Sequence, residues 1–203
     1  MASEAFWGGY VLYLLEIFLP GIGFGELFRI WRKEDSLIER LGIYFGLGLS
    51  IDTIVLMLRT SNLGGLHGID SVTIYGIILL GFVALAISIA KRRKFDFPKP
   101  TRSDLFIGIF FLIQVIMLVL YFAKYPIFPE YQSQDYSVHV QLAQGLISGS
   151  VTSIPSGILY YGIHYQLASG ILLVGGEPLI TARYVMAILV ILSQFLFYAA
   201  AKR

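Results

Sequence analysis

SVTIYGIILLGFVALAISIA, residues 71–90, decides the class of fold, because twenty consecutive residues pass without a charge. As an α-helix they extend about 30 Å, the thickness of the hydrocarbon core of a bilayer. A strand in that place would leave backbone groups unpaired in lipid, so helix is the economical structure. Two more stretches share these properties, Leu105–Ala123 and Tyr184–Ala201. Two others carry one acid each, Ala5–Gly25 with Glu16 and Leu41–Leu58 with Asp52. The sequence thus predicts an all-α, polytopic integral membrane protein, with about five transmembrane helices plus juxtamembrane amphipathic helices.

Composition points the same way. Of 203 residues, 57% are hydrophobic and 14% charged, where globular domains average roughly 45–50% and 25%. The 15% aromatic content excludes a disordered chain. A formal net charge of +2 is too small for a nucleic-acid footprint, so no nucleic acid partner is expected and the lipid bilayer is. Cysteine is absent, which excludes disulfides, thiol nucleophiles and cysteine-ligated zinc or iron–sulfur centres.

Basic residues orient the spans. Arg29, Arg32, Lys33 and Arg40 lie in one connection, and Lys91, Arg92, Arg93, Lys94, Lys99 and Arg102 in another. Both belong in the cytoplasm of a cell-membrane protein by the positive-inside rule, which sets the N-terminus outside. The leader MASEAFW has no Lys or Arg before the apolar run and is unlike a signal peptide. Pro155–Gly176 is long enough to cross, yet Tyr160, Tyr161, His164 and Tyr165 suit a membrane interface. Laid on the outer surface or dipping and returning, it turns Lys202 and Arg203 into a cytoplasmic stop at the C-terminus.

The chain divides at KRRKFDFPKPTR, where Pro98 and Pro100 interrupt helix. Residues 1–91 form an N-terminal three-helix unit, 92–103 a basic cytoplasmic linker, and 104–203 a span, an outer segment over 124–183, and a final span. Within the first unit, GELFRIWRKEDSLIERL reads as an amphipathic helix, with Leu27, Ile30, Trp31, Leu37, Ile38 and Leu41 at helical spacing. Gly21, Gly23 and Gly25, with Gly46 and Gly48, fit close helix packing better than a phosphate loop, since no Walker lysine follows.

The most informative stretch is YPIFPEYQSQDYSVHVQLAQGLISG, residues 125–149. On a helix, Ser137, Gln141, Gln144 and Ser148 form a polar stripe, and Asp135 and His139 project opposite it, alongside Leu142 and Leu146. An acid and an imidazole turned to the packed side need a partner, a metal or a polar substrate. The plainer reading makes Asp135 a helix cap and His139 a hydrogen-bonded core residue. Glu130, five residues before Asp135, gives a second carboxylate for a divalent cation, Mg or Mn rather than zinc. Glu16 and Asp52, inside apolar spans, call for pairing or a wet crevice, with an ion or proton path as the sharper alternative. Arg59 lies two turns beyond Asp52 on the same face, a long reach for a direct pair.

In its layout, the part from 104 to 203 resembles the opening of the GT-C superfamily of polytopic membrane glycosyltransferases, such as aminoarabinose- and mannosyltransferase-like enzymes. The likeness runs through a first span, DYSVHVQLAQGLISG, then IPSGILYYGIHYQLASGILLVGGEPLITARYV, and a helix closing in FLFYAAAKR. It implies sugar transfer from a polyprenyl-phosphate-linked donor at the extracytoplasmic face. Asp135 would be the catalytic carboxylate or a metal ligand with Glu130, and His139 and Glu130 would assist catalysis. Lys124, His164 and Arg183 would contact substrate, the two cations neutralising the departing phosphate. Cores of that superfamily carry further transmembrane helices, so the resemblance implies missing C-terminal helices or a further membrane subunit. A non-catalytic assembly partner and, third, a small transporter are the competing classes.

Overall fold

The computed structural model describes residues 3–31, 35–60, 68–92, 98, 100–124, 134–150 and 161–203, with the side chains of 3–6, 92, 119, 122–124, 134–136 and 161 outside the described set. Those residues form seven helices: α1 (Ser3–Phe28), α2 (Leu37–Thr60), α3 (Ser71–Arg92), α4 (Arg102–Lys124), α5 (Gln134–Ser148), α6 (Tyr161–Val174) and α7 (Pro178–Lys202). No strand occurs among them. Trp7–Phe28, Leu37–Thr60, Ser71–Lys91 and Pro178–Lys202 are each long and apolar enough to cross a membrane, and α4 is a further apolar helix of 23 residues. The architecture is that of an all-α membrane protein.

Local chemistry sets the helix ends. Arg29 takes a left-handed φ of 52° and closes α1, with the Ile30 N–H donating to Gly25 O at 3.1 Å. Ser36 and Glu39 then open α2 as a reciprocal capping pair, the Ser36 N–H donating to Glu39 Oε2 at 2.7 Å. The amphipathic helix expected over GELFRIWRKEDSLIERL is therefore absent as a unit. Its apolar residues divide between the end of α1 and the start of α2, because the left-handed residue and the cap win over the helical spacing.

Two acids open the next helices. Asp70 accepts from the Thr73 N–H at 2.8 Å and the Thr73 hydroxyl at 2.6 Å, and it pairs with Arg59 at 3.0 Å. Those Thr73 hydrogen bonds, with the Arg59 charge adding to them, hold the Asp70 carboxyl below its ordinary range. Asp104 accepts from the Thr101 N–H at 2.6 Å and reaches the Ile38 N–H of α2 at 3.3 Å. Burial pushes this carboxyl up, but hydrogen bonds from Ser36, Thr101 and Ile38 outweigh it, so it too sits below the usual value.

Between α6 and α7, Gly175 and Gly176 take φ of 69° and 81°, a left-handed turn that a side chain would strain. Glu177 follows as the N-cap, accepting from the Ile180 N–H at 2.7 Å, and Pro178 is the first residue of α7. That cap starts α7 six residues before the predicted Tyr184.

Glycines bring the helices into backbone contact. A Cβ on Gly21 would lie 1.8 Å from Tyr44 O, and one on Gly48 1.7 Å from Ile17 O, so α1 and α2 touch through two bare patches. Gly42 meets Phe195 O of α7 at 2.2 Å, and Gly9 meets the Val174 Cα of α6 at 2.4 Å by the same measure. Small residues allow this approach where apolar driving force between helices is lacking. The core that results holds Tyr13, Ile17, Phe45, Leu56, Ile77 and Val185. Around it α3 and α4 present exposed Val72, Leu79, Phe106, Ile113 and Met117, a surface suited to lipid.

The helices share two ends. At one, Lys202 pairs with Glu39 at 2.7 Å and Arg203 with Asp35 at 2.8 Å. The chain's last residues thus lie beside the basic connection of residues 29–40. At the other end lie Arg59 and Asp70, the Tyr10–Tyr184 ring contact at 6.0 Å, and α5, whose Leu146 O accepts from the Ile69 N–H at 2.9 Å. With 14 residues, about 21 Å, α6 is too short to cross. It packs among α1, α2, α5 and α7.

Candidate functional site

Helix α5 keeps most of the expected polar stripe, but its packed face is centred on Val140 and Ala143, with Ser137 and Leu142 half-buried. Gln141, Gln144 and Ser148 are exposed, Val140, Ala143 and Leu146 are buried, and His139 is half-buried. His139 Nδ1 lies 2.7 Å from His164 Nε2 of α6, with the rings tilted 35° and 4.9 Å apart. One nitrogen donates and the other accepts, so the contact requires a bare lone pair on one ring. Two histidines 25 positions apart in sequence are thus joined. Asp135 lies on the first turn of α5, one turn before His139, and its side chain is outside the described set. Glu130 is outside the described residues altogether. Among the described residues no group of three or more His, Asp or Glu gathers as a metal centre.

Arg183 stands over the Tyr121 ring of α4 at 5.7 Å. Tyr121 is one turn before Lys124, so both predicted cations belong to the place where α4 ends and α7 begins. The Lys124 side chain is not among those described.

Helix α6 departs from expectation on its polar residues. His164 and Tyr165, assigned from sequence to a membrane interface, are 2% and 1% exposed. Packing on α5 takes one face of the helix, and the Tyr165 hydroxyl meets Thr60 Oγ1 at 3.0 Å. Helix neighbours, rather than headgroups, meet the His164 Nε2 and the Tyr165 hydroxyl.

A second cluster lies within the bundle. Glu16 and Asp52 are both fully buried. Ser169 Oγ donates to Glu16 Oε2 and Gln166 Nε2 donates to Asp52 Oδ2, so both carboxyls are held against one turn of α6. Tyr13 Oη donates to Gln166 Oε1 at 3.3 Å. Glu16 Oε1 and Asp52 Oδ1 receive no N–H or O–H from any described residue. The long reach from Asp52 to Arg59 is not made, since Arg59 turns to Asp70. Beside the cluster is a cavity of about 390 Å³ between α2, α6 and α7, lined by Thr53, Gln166 and Ser193 and otherwise by apolar side chains such as Phe45, Leu189 and Phe197.

Sequence reading singled out Glu16 and Asp52 but passed over Tyr13, Gln166 and Ser169. A signal was present. Tyr13 and Glu16 stand three apart, as do Gln166 and Ser169, so each pair marks one polar face on an otherwise apolar helix. Comparison with protein-family models, curated proteins and solved structures finds no match to this chain.

Proposed function

We propose that this chain is a membrane glycosyltransferase-like protein of the GT-C kind, acting at the extracytoplasmic face on a sugar carried by a polyprenyl phosphate. The observation that supports the reading is the 2.7 Å contact between His139 and His164. It joins α5, which carries Asp135 a turn earlier, to α6 at the end of the bundle opposite the Lys202–Glu39 and Arg203–Asp35 pairs. In this reading the acceptor hydroxyl oxygen attacks the anomeric carbon, the carbon–oxygen bond to phosphate breaks, and the hydroxyl proton passes to the Asp135 carboxylate. The leaving group is the polyprenyl phosphate, whose charge Lys124 and Arg183 offset. His139 and His164 brace the face on which Asp135 sits.

A divalent cation, Mg or Mn, would be held by Asp135 and Glu130. Of the donors described at this end, the two imidazoles are engaged with each other, Asp70 with Arg59 and Thr73, and Glu177 with the Ile180 N–H, so no step is routed through a metal.

The test is transfer of label from a radiolabelled polyprenyl-phosphate hexose to acceptors in membrane vesicles containing the chain. Asp135→Asn should abolish transfer at unchanged protein abundance. Transfer unaffected by Asp135→Asn removes the catalytic assignment. No transfer by the wild-type chain, together with co-purification of a larger membrane enzyme, favours the assembly-partner reading.

A further inference from the structure

We propose that Glu16 and Asp52 hold one exchangeable proton between them, a proton-binding site inside the bundle loaded through the cavity beside Gln166. It stands apart from the glycosyl-transfer reading and rests on different helices.

The inference follows from counting donors. A carboxylate offers acceptor sites on both oxygens. Ser169 serves one oxygen of Glu16 and Gln166 serves one of Asp52. The remaining two, Glu16 Oε1 and Asp52 Oδ1, have no N–H or O–H donor among the described residues, although both residues are wholly buried. Two carboxylates held against one turn of α6 in such surroundings repel strongly, and each orphaned oxygen bears a desolvation cost of its own. A single proton removes both problems, because the O–H of one carboxyl donates to the other.

Among the described residues, none near the pair supplies positive charge. From α1 the facing ionisable group is Tyr13, whose hydroxyl is given to Gln166. On α2, Arg59 is bound to Asp70, and Glu39 and Arg40 belong to the opposite end. On α6, His164 faces His139 and Tyr165 faces Thr60. Helix α3 carries no charge from Ser71 to Ala90, and α7 none from Tyr184 to Ala201. Burial of a lone intramembrane acid is costly, and proteins keep such groups where they bind a proton, an ion or a substrate.

Access comes from Gln166. Its amide donates to Asp52 and lies 3.4 Å from Thr53 Oγ1, and both Gln166 and Thr53 line the cavity. A proton arriving along the Gln166 and Thr53 side of the cavity forms an O–H bond on one carboxyl and lowers the charge of the pair by one. Its departure restores two carboxylates and returns the proton to water.

The experiment is infrared spectroscopy of the purified chain in liposomes at neutral pH, reading the C=O stretch of a protonated carboxyl. We expect one such band, shifted down in D₂O and shifted again by ¹³C-carboxyl labelling of Asp, of Glu or of both, a measurement that needs no variant. Glu16→Gln and Asp52→Asn should each move or remove it. Absence of the band in the wild-type chain, above all with stability that rises in sodium chloride but not in choline chloride, would overturn the proposal in favour of a metal cation or an ionised pair. A band indifferent to D₂O overturns the exchange, and one indifferent to both labels or to both substitutions overturns the assignment.

Discussion

Replacing Gly48 by alanine adds one methyl group where α1 and α2 meet backbone to backbone. The new Cβ would lie 1.7 Å from Ile17 O, whereas ordinary contact begins at 3.4 Å, so 3.4 − 1.7 = 1.7 Å must be found. No rotamer change supplies it, because both partners are backbone, and on the reciprocal side Gly21 is as tight against Tyr44 O at 1.8 Å. The helices must separate, at about the 1–3 kcal/mol typical of an overpacked core. The gap opens beside the acid pair, since Ile17 follows Glu16 and Asp52 lies one turn beyond Gly48. Gly108 is the control, on α4 with nothing within 4 Å of its virtual Cβ. Gly108→Ala should be neutral or stabilise by up to about 1 kcal/mol through helix propensity. Unfolding by sodium dodecyl sulfate in mixed micelles, followed by fluorescence of Trp7 and Trp31, measures both. A Gly48→Ala midpoint equal to wild type, or a Gly108→Ala midpoint that falls as far, would refute the claim that glycine contact sets the α1–α2 distance.

Two further outcomes are expected. Asp70 has its carboxyl held below the ordinary range by Thr73 and then Arg59. Its contribution to stability is therefore present above the unfolded-state value, about 3.9, and is lost as pH falls through the lower folded value. Asp70→Asn should flatten that acid limb of a stability–pH profile, and an unchanged limb refutes the assignment. His139→Ala removes a 2.7 Å hydrogen bond to the buried His164, costing about 1–3 kcal/mol. Amide hydrogen exchange of α6 checks it, since α6 should lose protection while α3 keeps its own.

Much of the fold was legible because hydrocarbon imposes one simple rule, that an apolar stretch of sufficient length must be helical. Leu41–Leu58 lies within α2, and Ser71–Ala90 within α3. The stripe on α5 was legible for a related reason, as Gln141, Gln144 and Ser148 differ from their neighbours in polarity at helical spacing. Placement of α6 was not. YYGIHYQ has the composition of an interfacial belt, and only the helices packed around it decide that His164 and Tyr165 face protein. The 25–41 segment misled in the opposite direction, since its apolar spacing is helical while its capping residues break it.

From the one-dimensional chain came the class of protein, the approximate spans, the basic end and the roster of residues costly to bury. Those properties depend on transfer free energy and helical period, which are local. Partner identity came only with tertiary structure: Glu16 with Ser169, Asp52 with Gln166, and His139 with His164. Such pairings depend on the register between helices far apart in sequence. That register is set by backbone contacts at Gly9, Gly21, Gly42 and Gly48, and a contact between two backbones leaves no pattern in either helix read alone.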